Sequence, residues 1–332
     1  MTLPPPHAGA SAADAAQKVA EPETPTGFRF DYTPPAGGYA WWYIDGVSED
    51  GENAIVIIIF VGSVFSPYYA WSGWADPSDH CAINVALYGR PQRWSMTERR
   101  RGDTLRTADT YKTGNSRVTA TESGLDIEVD ELCAPLPQRM RGRVRVALPY
   151  SNSKRFQLDP NGRHFWSPVC PHASVSVDFE APGLSWRGHG YVDTNYGLEP
   201  IYKGFDYWDW SRTPLFNGDT VIRYVTDPVS SRQRALHVAI SPDGTVAEVD
   251  AGSDCDLKPT PVWRIRRRAG TLEGTPPHIV KTLEDTPFYS RSMLDYASGT
   301  SGLTTHETLS CRRLKSPLVR AMLPFRMPRL SL

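Results

Sequence analysis

The chain has 332 residues, 40% hydrophobic and 22% charged, which excludes wholesale disorder. Its formal charge of −1 gives no bulk attraction to nucleic acid, and none is expected as a partner. Twenty-six Gly and twenty-nine Pro disfavour a helical bundle, while ten Trp, fifteen Tyr and eleven Phe supply material for apolar pockets.

Residues 1–27 are rich in Pro, Ala and acidic side chains, and read as a disordered N-terminal arm. They lack a basic start followed by an apolar run, so no secretory signal is expected. Ala54 to Val61 is the most apolar stretch and falls far short of the roughly 20 residues of a membrane helix. Apolar at every position, it reads as a central strand covered on both faces. Alternation of apolar and polar residues then predicts strands at 125–130, 143–148 and 173–180.

The second half continues with short strands at 220–226, 235–240, 262–268 and 279–283, separated by Asp-Gly, Gly-Ser and Pro-rich turns. Many short strands at close spacing predict an all-β chain of antiparallel barrels. Its length favours two units, 28–205 and 206–315, with the boundary near Pro200 to Asp219. Residues 316–332 form a basic-apolar tail. From Cys311 onward the chain carries Arg312, Arg313, Lys315, Arg320, Arg326 and Arg329 and no acid, interleaved with Leu318, Val319, Met322, Leu323, Phe325 and Met327. Two readings stay open there: a foot on an anionic membrane surface, or a tail packed on the barrel.

Five Cys are spread widely with no C-x-x-C pair, which fits neither a disulfide framework nor a zinc site. The eight His are scattered, and no phosphate loop, G-x-G-x-x-G, G-x-S-x-G or H-E-x-x-H occurs. No metal and no cofactor are expected, so chemistry would fall to side chains alone. The expected place is the cytoplasm, peripheral to a membrane.

The densest polar-aromatic region is 162–212. Strand residues two apart share a face, so His164 and Trp166 point together, as do His189, Tyr191, Asp193 and Asn195. If these faces line a barrel interior, Asp193 lies among aromatic rings, and burial raises its pKa until it is a neutral proton donor. Spacing equally allows plainer readings. Asp193, Asn195 and Gly197 could form a turn, His164 and Trp166 a core pair, and Trp208 and Trp210 barrel plugs. Arg212 could pair with Asp206 or Asp209.

Four motifs in order, Gly38-Tyr-Ala-Trp-Trp-Tyr43, Gly162-Arg-His-Phe-Trp-Ser-Pro168, Gly188-His-Gly-Tyr-Val-Asp-Thr-Asn-Tyr-Gly197 and Trp208-Asp-Trp-Ser-Arg212, resemble the carotenoid 1,2-hydratases, also called hydroxyneurosporene synthases. Phe288-Tyr-Ser-Arg291 and Phe325-Arg-Met-Pro-Arg329 look similar too, so the resemblance covers residues 28–329. It implies two tandem lipocalin-like barrel units. It also implies cofactor-free addition of water to the terminal double bond of an acyclic carotenoid such as neurosporene or lycopene. The family's acid and helpers map onto Asp193, His164, Trp166 and Tyr191. Asp193 would protonate the alkene, with Trp166 and Tyr191 offering π faces to the cation. His164 would either orient Asp193 or handle the incoming water. Trp42, Tyr43, His189, Asn195, Trp208 and Trp210 are expected to bind substrate. The rivals are a non-catalytic carrier of an apolar ligand and a pericyclase or isomerase on the same scaffold. An acid in the pocket favours the hydratase.

Overall fold

The computed structural model describes residues 28–250 and 252–329. The arm expected over residues 1–27 lies outside the described residues, as do the last three residues of the tail. Twelve antiparallel strands build the first sheet. They are β1 (Tyr39–Ser48), β2 (Ala54–Val61), β3 (Cys81–Tyr88), β4 (Arg93–Arg99), β5 (Thr104–Arg106) and β6 (Thr110–Thr113). β7 (Ser116–Thr121), β8 (Gly124–Leu132), β9 (Arg139–Ala147), β10 (Phe156–Gln157), β11 (His164–Ala181) and β12 (Leu184–Gly197) follow. The order is β4-β3-β2-β1-β12-β11-β9-β8-β7-β6-β5, with β10 beside β11. β3 approaches β6 and β4 approaches β8, so the sheet curls into a nearly closed barrel.

The chain leaves this sheet at Gly197 and enters a second one at Phe205. That sheet has seven strands in the order β16-β15-β14-β13-β21-β20-β19. They are β13 (Phe205–Pro214), β14 (Thr220–Pro228), β15 (Arg234–Ile240), β16 (Val246–Glu248), β19 (His278–Asp285), β20 (Tyr289–Asp295) and β21 (Thr304–Leu309). A separate hairpin, β17 (Asp254–Leu257) and β18 (Arg267–Gly270), packs on β13 and β21. The strand expected over 262–268 is therefore shorter and later. Asp285 accepts from the backbone N–H groups of Val262 and Trp263, and Arg264 adopts a φ of 54°, which turns the chain there instead of extending it.

Two hydrophobic cores result, one on each face of the first sheet. Ile55, Ile57 and Ile59 of β2 point into the barrel, whereas Val56 and Phe60 point out toward the second sheet. Both faces of this strand are covered, which is why its sequence is apolar throughout. The same alternation places Trp42, Val192 and Tyr196 inside the barrel and Trp41, Tyr43, Trp166 and Tyr191 outside it, against Trp208, Trp210 and Tyr224 of the second sheet. The polar-aromatic faces thus line the space between the two sheets and not the barrel interior, which is filled by apolar side chains, most of them aliphatic.

The tail packs on the protein. Cys311–Leu314 and Pro317–Met322 form short helices, and Glu98 N–H donates to Pro328 O at 2.9 Å, so the chain end covers the edge of β4. Arg329 pairs with Asp79 and Glu98, Arg312 and Lys315 lie beside Asp206, and Arg313 donates to the carbonyls of Trp263 and Arg264. Arg320 lies over Trp74 and Tyr202, and Arg326 over Trp94. All six cations are engaged by the protein, while Leu318 and Phe325 remain exposed. No helix among the described residues is long and apolar enough to cross a membrane.

Candidate active site

Register assembles the site. Tyr191, Asp193 and Asn195 of β12 lie opposite Asp45, Tyr43 and Trp41 of β1, and Trp166 of β11 lies opposite Asn195. β11 is irregular between Pro168 and Ala173, next to the Asp193 pairing, and so bends at this point. Asp193 lies within a regular strand, which removes the turn reading of Asp193, Asn195 and Gly197.

The Asp193 carboxyl is buried and has two unlike oxygens. Oδ2 accepts from Trp166 Nε1 at 2.9 Å and from the Tyr191 hydroxyl at 2.8 Å. Oδ1 is buried and has no hydrogen-bond partner among the described residues. Burial pushes the Asp193 pKa up to about 8; the two donors act against it, and the charges of Glu307 and Asp45 add to it. The group is thus mostly a neutral acid at neutral pH. Because Oδ2 is occupied as an acceptor, the proton belongs on Oδ1.

The neighbouring acids have counter-charges and Asp193 does not. Asp45 pairs with Arg212 at 2.5 Å, and Glu307 pairs with Arg291 at 2.7 Å. The Tyr43 hydroxyl bridges them, 2.7 Å from Glu307 Oε1 and 3.2 Å from Asp45 Oδ2. Arg212 therefore takes neither Asp206 nor Asp209. Asp209 is on the opposite face of β13, bonded to Arg268 and Thr308.

An apolar cavity of about 440 Å³ opens between the sheets, lined by Trp41, Tyr43, Phe60, Phe65, Trp208 and Phe288 among others, with Trp263, Met322 and Phe325 also in its wall. A second cavity of about 30 Å³ shares Trp41, Tyr43, Trp208 and Glu307 with it, and adds Asp193, Asn195, Trp210 and Tyr224. The small cavity adjoins the large one through these shared residues and has Asp193 in its wall.

The residues singled out in the sequence divide accordingly. Asp193, Trp166, Tyr191, Tyr43, Asn195, Trp208 and Trp210 come together; Asn195 Nδ2 donates to the Tyr224 hydroxyl at 3.1 Å. Trp166 and Tyr191 turn their polar ends to Asp193, so they hold the acid in place of the π-face role expected for them. His164 is apart. Its register partner is Gly197, four residues beyond Asp193, a separation of about 13 Å at strand rise. Its Nδ1 shares a hydrogen bond with the Tyr39 hydroxyl at 2.9 Å, and its Nε2 is 3.6 Å from Glu199. It touches the cavity wall only indirectly, through Tyr39, which stacks on Trp41, and through Phe205, which packs on Trp208. Trp42 points into the barrel core against Phe30, and His189 is exposed, since β12 is covered on this side only beyond it. Sequence reasoning passed over Trp41, Asp45, Tyr224, Arg291 and Glu307. The i, i+2 series Tyr39, Trp41, Tyr43, Asp45 was the available signal for two of them, and Phe288-Tyr-Ser-Arg291 for a third.

The family model described as carotenoid hydratase CrtC matches residues 57–331, a span that takes in the second sheet and the first from within β2 onward. The chain belongs to the carotenoid hydratase family. It is 44% identical to an acyclic carotenoid 1,2-hydratase of Thiocapsa roseopersicina over 92% of this chain and 76% of that protein. A protein of the same description from Rubrivivax gelatinosus is 43% identical over 91% and 76%. Among solved structures, an AttH candidate from Nitrosomonas europaea superposes with a TM-score of 0.59 at 14% identity, covering 87% of this chain and 98% of that one. That likeness shows the shared lipocalin-like architecture alone. In this hydratase-family chain, the acid lies where the two sheets meet.

Proposed function

We propose that this chain hydrates the terminal carbon–carbon double bond of acyclic carotenoids, of the neurosporene and lycopene type, with its own side chains and no cofactor. The observation that carries the reading is Asp193, a buried carboxyl without a cation, in the wall of a small cavity that shares lining residues with a large apolar one. The names of the relatives support the substrate class.

An isolated alkene is a weak base, so protonation needs a strong donor held against it. Asp193 Oδ1–H delivers its proton to the less substituted carbon, leaving a tertiary cation on the neighbouring carbon. The cation forms among Trp41, Tyr43, Trp208, Trp210 and Tyr224, whose ring faces stabilise it by about 2 kcal/mol each when desolvated. Water then captures the cation as a tertiary alcohol. Trp166 and Tyr191 keep the carboxyl oriented throughout. A carrier of the same ligand gains nothing from an uncompensated buried acid, which opposes folding.

A long polyene extends beyond the cavity, whose wall includes the tail. The same reading therefore places the mouth against a membrane surface. Exposed Val262 adjoins Trp263, and exposed Leu318 lies one helical turn before Met322, both of the latter being cavity residues. Because the tail cations are engaged by the protein, contact rests on apolar side chains more than on charge.

The test is incubation with lycopene in ¹⁸O-labelled water after dialysis against a chelator. A product heavier by one labelled water supports the proposal. Lycopene that binds and returns unchanged would make the chain a carrier, and an isomer of equal mass would make it an isomerase.

A further inference from the structure

The geometry points to Glu307 as the base that holds the attacking water and takes its proton, opposite Asp193. This rests on the hydration reading above and adds the half of the reaction that Asp193 leaves open.

The cavity of about 30 Å³ has a carboxyl group from each sheet in its wall: Asp193 from β12 and Glu307 from β21. That space suits a water molecule with polar neighbours. Glu307 is held rigidly by one oxygen. Oε1 accepts from the Tyr43 hydroxyl at 2.7 Å, from Arg291 Nε at 2.9 Å and from Arg291 Nη2 at 2.7 Å. No hydrogen bond from the described residues reaches Oε2, which is left as the acceptor for a water. Arg291 lies opposite Glu307 in the β20–β21 ladder, so backbone register fixes the pair. Two acids share one small space, one with a guanidinium and one without. That difference in partners is the kind of arrangement that separates base from acid.

The step balances without any further reagent. The Asp193 Oδ1–H bond breaks, and its proton is bound by the π electron pair as a new C–H bond. A lone pair of the water oxygen forms the C–O bond to the tertiary cation. One O–H bond of that water breaks, its electrons stay on oxygen, and the proton goes to Glu307 Oε2. Asp193 is then the carboxylate and Glu307 the acid. Water refilling the cavity after product release carries the proton back.

Glu307→Gln, assayed with lycopene in D₂O, separates the two half-reactions. Expected is a fall in hydration of about 10²-fold or more, the range for loss of a general base, with lycopene binding kept. Deuterium still enters the recovered lycopene, because Asp193 still protonates the alkene and the uncaptured cation reverts. Asp193→Asn loses exchange and hydration together. Hydration by Glu307→Gln within a few-fold of the parent would show that Asp193 takes the water proton itself and overturn the assignment. Loss of exchange along with hydration, in a variant that still binds lycopene, would overturn it too. If the Gln variant fails to fold with Arg291 unpaired, Glu307→Asp keeps the charge and is read by the same two measurements. Absence of hydration by the parent protein refutes the function proposed above, whatever Glu307 does.

Discussion

Strand β1 presents one face to the barrel core and the other to the second sheet, and both faces are dry. Inward go Ala40, Trp42 and Ile44, packed among aliphatic side chains with Phe30 edge-on to Trp42. Outward go Tyr39, Trp41, Tyr43 and Asp45, which meet His164, Trp208, Glu307 and Arg212. Equal burial thus serves two ends. The inner face stabilises the fold by removing apolar surface from water. The outer face buries polar groups most of which bind one another, with Asp193 Oδ1 among the few left without a partner.

The sharpest way to break this comparison is Asp193→Asn. The amide keeps the shape and an oxygen for the Trp166 and Tyr191 donors, but cannot protonate an alkene. Hydration should fall by about 10³-fold or more, with lycopene binding kept and the melting temperature not lowered. Turnover near the parental rate would reduce Asp193 to a structural group.

Adjacent tryptophans sharpen it further. Trp42→Ala, inside the barrel, should destabilise by about 3–5 kcal/mol, read by denaturant titration, and leave turnover per folded molecule nearly unchanged. Trp41→Ala, in the wall of both cavities, should raise KM and lower kcat, because it removes a ring from the cation's surroundings. The opposite pattern would mean that the two faces have been assigned the wrong way round.

Much of this was legible in the sequence, and the failures have one cause. Period-two alternation marked the strands at 125–130, 143–148 and 173–180 and grouped Tyr191, Asp193 and Asn195 on one face. Alternation shows that two faces differ, but not which sheet covers each one. Trp42 and Tyr43 are both expected to bind substrate, yet neighbouring strand residues point apart, and Trp42 turns into the barrel. The link between His164 and Asp193 comes from the resemblance, and spacing within β11 carries no information about register against β12 that could check it. Arg291 and Glu307 come from the second sheet, over a hundred positions after Trp166, and only the packing of the sheets brings them in.

The pH dependence compares Asp193 with groups that have partners. Its pKa is raised to about 8, so kcat/KM should fall as pH rises through about 8 and the acid is lost. Stability has the same sign. From about pH 4 to 8 the native state keeps a proton that the unfolded chain has released, so stability declines as pH rises across that range. Asp193→Asn should flatten this part of the melting-temperature profile, and an unchanged slope would place the linked proton elsewhere. Glu131, buried near Arg99 and pushed up to about 7, adds a slope of its own that persists in the variant.

The smallest effect is expected at the cavity mouth, where the inner and outer faces of the fold give way to solvent. Val262 and Leu318 are 74% and 73% exposed, and neither lines the cavity, so their apolar side chains have no role in either core. Replacing both by Ser would remove about 1–3 kcal/mol of the proposed apolar contact with a lipid surface and disturbs no buried group. Sedimentation with liposomes should drop several-fold, while activity on detergent-solubilised substrate is retained. Arg320, Arg326 and Arg329 are poorer sites for this test. They lie over Trp74, Tyr202 and Trp94 or pair with Asp79 and Glu98, so their loss would loosen the strap that covers β4. The engagement of these cations also predicts that liposome binding by the parent changes little between low and moderate salt. A steep loss of binding with salt, at unchanged binding by the double Ser variant, would move the membrane contact from this apolar rim to a charged face.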